Sequence, residues 1–376
     1  MLRCHDVPLR PTLARMHKRI TSLDAVRGVV MILMAIDHVR VYSGVPAGGP
    51  APGVFFTRWI THFVAPAFIF FAGTAAYLHG RKVANLSKFL VTRGVWLIVL
   101  ELTVIRIFWT FNFDFAHYDL AGVIWVIGWS MIVLAAAIHL PRGVLAAVAI
   151  AIIALHNLIP HVDDPNPLLK ILYFGGPVGP LFILYVIVPW AGVMMAGYAF
   201  GPVMELPAER RRAISLRIGA FATMLFVILR WLDIYGDPRP WHGKGALFFI
   251  NTTKYPASLL FLLMTLGPML MLLAWAESWN SDILTTFGRV PMFYYLLHIP
   301  LIHVAACVVS LIREGRVDPW LFGNLPVDPP PLPPGYQWPL GLLYLVFAIC
   351  VALLYFPCRW YARLRATSQS KLLSYV

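Results

Sequence analysis

Histidines, arginines and aspartates stand at regular intervals in stretches otherwise apolar enough for a bilayer. In SLDAVRGVVMILMAIDHVRVYS (22–43), Asp24, Arg27, Met31, Met34 and His38 follow a spacing of 3, 4, 3 and 4, which sets them on one stripe of a helix. Asp24 can meet Arg27 one turn on, and His38 lies about 16 Å beyond Arg27 at 1.5 Å per residue. Asp37 is about 100° away on the wheel and need not partner His38. The next stretch, TRWITHFVAPAFIFFAGTAAYLHGRK (57–82), places Arg58 and His62 at i,i+4, with Pro66 a turn deeper. Proline deletes a helical amide, so a bend is expected beside His62. The short loop between the two stretches makes them antiparallel neighbours, which puts His38 and His62 at similar depth in one cavity. A third stretch, FGRVPMFYYLLHIPLIH (287–303), sets Tyr294 and His298 at i,i+4, followed by Pro300 and His303. Imidazole takes and returns protons near neutral pH, and arginine can hold an anion. His38, His62 and Arg58 therefore read as a candidate site, with Asp37, Tyr294 and His298 as proton relay or supporting residues. Each has a plainer reading: Asp24 and Arg27 as an interfacial ion pair, the histidines as core residues bonded to carbonyls.

The elements that must carry these residues follow from composition. Of 376 residues, 60% are hydrophobic and only 12% charged, with a mean hydropathy of +0.74; a soluble domain has about 25% charged residues. Apolar runs of the length that crosses a bilayer recur at 22–42, 58–79, 92–111, 120–139, 143–160, 178–200, 214–233, 256–276, 290–312 and 339–360. The fold class expected is an all-α polytopic membrane protein of about ten transmembrane helices. Its segments would be 1–21 (N-terminal, cytoplasmic), 22–361 (the transmembrane domain) and 362–376 (a cytoplasmic tail). Lys and Arg collect on one side: nineteen fall in the segments that are cytoplasmic with the N-terminus inside, and six fall outside. Basic loops stay in the cytoplasm, so both termini are expected there. The net charge of +13 then reflects topology, and no aromatic-basic motif points to nucleic acid. The first 21 residues lack the apolar core and cleavage site of a signal peptide, so the first helix reads as an uncleaved anchor. Four cysteines form no disulfide framework.

SLDAVRGVVMILMAIDHVR, RWITHFVAPAFIFFAGT and FGRVPMFYYLLHIPLIH together resemble the heparan-α-glucosaminide N-acetyltransferase-like membrane proteins, bacterial members in particular, within the transmembrane acyltransferase superfamily. The resemblance implies transfer of an acyl group, in the first place acetyl, from a cytoplasmic acyl-CoA donor to a hydroxyl or amine at the outer face. The acceptor implied is a saccharide, and the location implied is a bacterial inner membrane. Acetyl-CoA would be a co-substrate, with no bound cofactor. Lysosomal members carry an asparagine where this chain has His38, and a histidine in the loop between the first two helices. The corresponding loop, GVPAGGPAPGVFFT (44–57), has none. This departure argues against a glycosaminoglycan acceptor and passes the catalytic role to His38, as base or transient acyl carrier, or to His62. Arg58 could then serve the developing oxyanion, while Arg27, with Asp24, would meet the anionic donor.

Outer loops such as WTFNFDFAHYDL (109–120), HVDDPNP (161–167) and DIYGDPRPWHGKG (233–245) combine aromatics with acids, as a sugar site or an interfacial belt does. No nucleotide loop, HExxH, GxSxG or CxxC motif occurs, and no carboxylate cluster suggests a metal site. The competing reading is a transporter or flippase of a lipid-linked or small polar substrate. That reading calls for matched broken helices in two related halves, and the proline-interrupted segments show no such repeat. Single cysteines introduced at Gly48 and Pro331 should react with an impermeant maleimide added from outside, and those at Lys82 and Arg211 should not. Outside labelling of the 210–217 segment contradicts the expected orientation.

Overall fold

The computed structural model of the chain describes residues 19–242, 244–323, 326–327 and 329–368. Most of the expected N-terminal segment, Cys4 included, and positions 369–376 of the expected tail lie outside the described residues. Helices form at each of the ten apolar stretches: α1 (Thr21–Ser43), α2 (Pro52–Gly80), α3 (86–110), α4 (Val123–Ala137), α5 (Arg142–Leu158), α6 (Ile187–Glu205), α7 (Ala208–Leu232), α8 (Leu259–Ser278), then, after the short α9 (Asp282–Arg289), α10 (Pro291–Glu314) and α11 (Leu340–Thr367). Among the described residues, six are long and apolar enough to cross a membrane: α2, α6, α7, α8, α10 and α11. The charges of α1 keep it out of that group by composition, yet α1 is largely buried, packed against α2, α8, α9, α10 and α11.

Two expected spans begin differently. The stretch read as 178–200 opens as a hairpin of β1 (Gly176–Val178) and β2 (Leu181–Ile183), joined by Gly179-Pro180, and becomes helical only at Ile187. Gly179 takes φ +60°, and Pro180 has no amide to continue a helix. The stretch read as 120–139 opens as an extended strand, Asp119–Ala121, which pairs in parallel with Leu181–Ile183. The fold is thus helical with a small sheet at one end. Beside Pro66, the irregularity expected in α2 is a 3₁₀ turn over Ile60–Phe63, because Pro66 withholds the amide that would bond the His62 carbonyl.

Small residues let the helices touch backbone to backbone. At the crossing of α1 and α9, a Cβ on Gly28 would overlap the Leu284 carbonyl, and one on Gly288 would overlap the Asp24 carbonyl. The α2–α6 crossing repeats the arrangement with Gly73 and Gly197, where Thr74 Oγ1 also donates to the Gly197 carbonyl at 2.9 Å. Such contacts supply dispersion and polar bonding where lipid removes most of the hydrophobic drive. Helix ends sort into two groups. At one, Ser22 Oγ donates to Glu277 at 2.8 Å and Arg211 pairs with the same carboxylate at 2.6 Å. At the other, the Trp338 amide donates to the Ser43 carbonyl at 2.9 Å and the Tyr336 hydroxyl to the Tyr42 carbonyl at 3.0 Å. The proline-rich loop therefore seals the end of α1.

Gly288→Leu should unseat α1 at its tightest crossing, at a cost of about 3 kcal/mol or more, since overpacking here meets backbone that has little room to yield. Size-exclusion profiles and thermal unfolding of the purified protein check this; a Gly288→Leu protein of unchanged stability contradicts the crossing.

Candidate functional site

α1 and α10 bring two histidines together. His38 Nδ1 lies 2.6 Å from His298 Nε2, with the rings stacked at 4.7 Å. The partner of His38 is therefore His298, 260 residues away; no hydrogen bond joins His38 to His62, the histidine expected to share its cavity. The other ring nitrogen of His298, Nδ1, lies 2.6 Å from the Tyr295 carbonyl and 3.2 Å from that of Tyr294. A carbonyl only accepts, so His298 carries its proton on Nδ1 and, when neutral, offers a lone pair at Nε2. His38 must then donate from Nδ1, which places its own lone pair on Nε2. No protein group among the described residues hydrogen-bonds that nitrogen, and the ring is half-buried rather than sealed. In this geometry His298 fixes the tautomer of His38.

Aromatic rings hold the pair. Trp109, at the end of α3, meets His38 edge-on at 4.8 Å and stacks on Tyr42 at 5.8 Å; the Tyr42 hydroxyl donates to the Trp109 carbonyl at 2.6 Å. Tyr295 meets both imidazoles edge-on, at 6.4 and 5.2 Å. Tyr294 stacks on His298 at 5.3 Å, but its buried hydroxyl has no partner, so it packs and relays nothing through that oxygen. Trp109 and Tyr295 were missed in the sequence; as aromatics in apolar runs they carry no signal of their own.

Asp37 points the other way, as its azimuth requires. Its oxygens accept from Arg40 Nε at 2.8 Å and Arg58 Nη1 at 2.9 Å. Arg58 Nη1 also donates to Thr61 at 3.0 Å, while Nη2 reaches only the Tyr255 hydroxyl, at 3.5 Å. Arg58 thus belongs to an ion pair with Asp37, and no hydrogen bond joins it to the imidazole pair. His62 packs edge-on against Phe261 at 5.5 Å, and its buried Nδ1 has no partner. Lys254 completes this group. It is 7% exposed and sits 5.2 Å over the ring of Tyr255 and 5.9 Å over that of Tyr185. Burial, and after it the Arg58 guanidinium, pushes the Lys254 ammonium below its usual pKa.

At the opposite end of α1 lies a cavity of about 470 Å³ lined by Arg19, Arg27, Arg93, Arg289 and Arg365. Asp24 is the one acid in its wall, and Met31 and Tyr295 form part of its apolar depth. Tyr295 is thus shared between the cavity and the imidazole pair. Asp24 pairs with Arg19 instead of Arg27, whose Nη2 donates to the Phe71 carbonyl at 2.8 Å. The Nε of Arg289 is buried with no partner.

Other buried charges have local partners. Glu101 accepts from the amides of Ile124 and Trp125 at 2.7 and 2.9 Å and caps α4; a carboxylate suits a helix N-terminus. Arg230 is 1% exposed and donates to the carbonyls of Phe248, Phe249 and Arg239. The loops HVDDPNP and DIYGDPRPWHGKG converge on a pocket of about 650 Å³ lined by Asp163, Asp164, Lys170, Tyr235 and Asp237, whereas WTFNFDFAHYDL does not reach it.

The sequence model described as heparan-alpha-glucosaminide N-acetyltransferase, catalytic, matches residues 19–235, more than half of the chain. His38, Arg58 and His62 fall within the match, and Lys254 and His298 beyond it. No curated protein matches the chain significantly.

Asp37→Asn leaves two buried guanidinium groups without their carboxylate and should cost about 3–5 kcal/mol of stability. Thermal unfolding in detergent reads this directly; an unshifted transition would show that the clamp is dispensable.

Proposed function

Because the chain belongs to the heparan-alpha-glucosaminide N-acetyltransferase catalytic family, we propose that it moves an acyl group, in the first place acetyl, from a cytoplasmic coenzyme A thioester to a sugar hydroxyl or amine at the outer face of a bacterial cytoplasmic membrane. The observation that carries this reading is the polarity of the imidazole pair. His298 Nδ1 is committed to a carbonyl, His38 Nδ1 is committed to His298, and His38 Nε2 is left as the base.

In this mechanism the phosphates of the donor meet the arginines around Arg27, and the thioester approaches the imidazoles past Tyr295. His38 Nε2 takes the proton of the attacking hydroxyl or amine, whose oxygen or nitrogen forms a bond to the thioester carbonyl carbon. The carbon–sulfur bond breaks, and the imidazolium returns the proton to the departing thiolate. His298 accepts the Nδ1 hydrogen throughout, so His38 keeps its lone pair toward the reaction. The proposed topology treats 22–361 as one unit of ten spanning helices with both termini cytoplasmic, and the segregation of the arginine cavity from the Asp37 cluster along α1 supports it. Arg58 is assigned to the outer side with Asp37, and His62 to packing beneath it.

Purified protein in nanodiscs, given acetyl-CoA labelled in the acetyl group and a panel of sugars, should release free thiol and label a sugar. His38→Gln should stay folded and lose roughly 10²–10⁴-fold in turnover. His298→Gln should lose roughly 10²-fold or more, because a freed tautomer removes the base. Near-normal turnover in folded His38→Gln rules out this base. Arg27→Ala should raise the KM for acetyl-CoA several-fold while sparing the fold; an unchanged donor KM returns Arg27 to a structural tie with Phe71.

A further inference from the structure

The Asp37 cluster holds more positive charge than the chain neutralises. Arg40, Arg58 and Lys254 face one carboxylate, Asp37, and the other acidic groups beside Arg58 and Lys254 are the phenols of Tyr255 and Tyr185. Arg40 and Lys254 are 8% and 7% exposed. Buried charge is normally paired, so an uncompensated ammonium here calls for an anion that the chain itself does not supply.

The hydrogen-bond inventory points the same way. Asp37 is saturated by Arg40 Nε and Arg58 Nη1. Left over are Arg58 Nη2, with only a 3.5 Å contact to Tyr255, the donors of the Lys254 ammonium beyond its bond to the Tyr255 hydroxyl, and the Tyr185 hydroxyl, 3.5 Å from that of Tyr255. His62 Nδ1, buried without a partner, adds one more polar atom to the same group. These are donors in excess of acceptors, the pattern that receives an oxyanion. Tyr255 is 37% exposed and covers the cluster, and Pro256 beside it belongs to the wall of the pocket lined by Asp163 and Asp237. Asp37 and His38 are adjacent on α1 but face different azimuths, and Asp37, Lys254, Arg40 and Arg58 all lie within electrostatic range of the His38 ring.

We propose that Arg58 and Lys254, with the hydroxyls of Tyr185 and Tyr255, form a binding subsite for an oxyanion, a carboxylate or a phosphate, carried by the acyl acceptor. The acceptor would then be an acidic sugar, held by its anion while its hydroxyl or amine faces His38. The acceptor assignment rests on the acyltransferase reading; the binding of an oxyanion does not.

The test uses the full chain in phosphatidylcholine nanodiscs, with glucose 6-phosphate, glucuronate and glucose as probes and binding read by thermophoresis and thermal unfolding. Both anionic sugars should bind saturably and raise the unfolding temperature, and glucose should do neither. Lys254→Met should weaken anion binding at least tenfold. It should also leave the protein as stable as wild type, or more so, without anion, because it removes an unpaired buried charge. A lysine with a purely structural role predicts the reverse, a destabilised Lys254→Met with sugar binding unchanged, and that result overturns the subsite. Arg27→Gln should not alter binding of these sugars; if it does, they occupy the arginine cavity and the assignment fails. Replacing phosphatidylcholine by phosphatidylglycerol separates the sources: unchanged sugar binding supports the acceptor, and loss of it assigns the site to a lipid headgroup and overturns the acceptor clause. Saturable binding without acyl transfer to any sugar would keep the subsite and reject the acyltransferase reading. No anion binding to folded wild-type protein rejects the subsite itself.

Discussion

A single directional bond sets the chemistry of the molecule: the one His298 makes to the carbonyls of its own helix. Because a carbonyl cannot donate, it fixes the proton of His298 on Nδ1, and the fixed proton decides which nitrogen of His38 is bare. Only two close packings are needed to deliver this result. α10 must present Tyr295 and His298 together, which their three-residue spacing ensures, and α1 must lie against α10 at His38. The glycine crossing with α9, the aromatic wedge of Trp109 and the seal of Tyr336 and Trp338 over the end of α1 all act on that second requirement.

α1 works as a polarised rod. One end opens on a cavity rich in arginine, and the other carries the Asp37 cluster, with methionines and alanines between. Charges within an apolar stretch are costly, and here each has a stated compensation: Arg19 for Asp24, a carbonyl for Arg27, two guanidinium groups for Asp37. The exception is Lys254, which comes from a loop after α7 and lies next to this rod without a carboxylate of its own. An oxyanion carried by an acceptor is what we propose for this imbalance, because donors predominate around Lys254 and Arg58.

Much of this was legible beforehand. The helical stretches were readable because lipid exposure demands long apolar runs, and the stripe from Asp24 to His38 because helical spacing is local. Pairings between distant helices were not. The short loop 43–57 suggested that His38 and His62 share a cavity, whereas α10 arrives from far along the chain with His298; the only sequence signal was the Tyr294–His298–Pro300 pattern. The buried positions of Lys254 and Arg230 carried no sequence signal, since nothing in sequence reveals that a loop folds inward. The strands at 119–121 and 176–183 hid inside apolar runs, and only Gly179-Pro180 betrayed a break. Asp24 and Arg27 sat at ideal pairing distance, yet Arg19 and the Phe71 carbonyl offered better geometry.

The central claim is a statement about two protons, and nitrogen-15 spectroscopy sees it directly. Histidine-labelled protein in lipid bilayers, with His38 and His298 assigned by difference against His38→Gln and His298→Gln, reports the protonation of each ring nitrogen. The account predicts, at neutral pH, Nδ1 protonated and Nε2 bare on both rings, with His38 Nδ1–H bonded to His298 Nε2. A His38 protonated on Nε2 would contradict it.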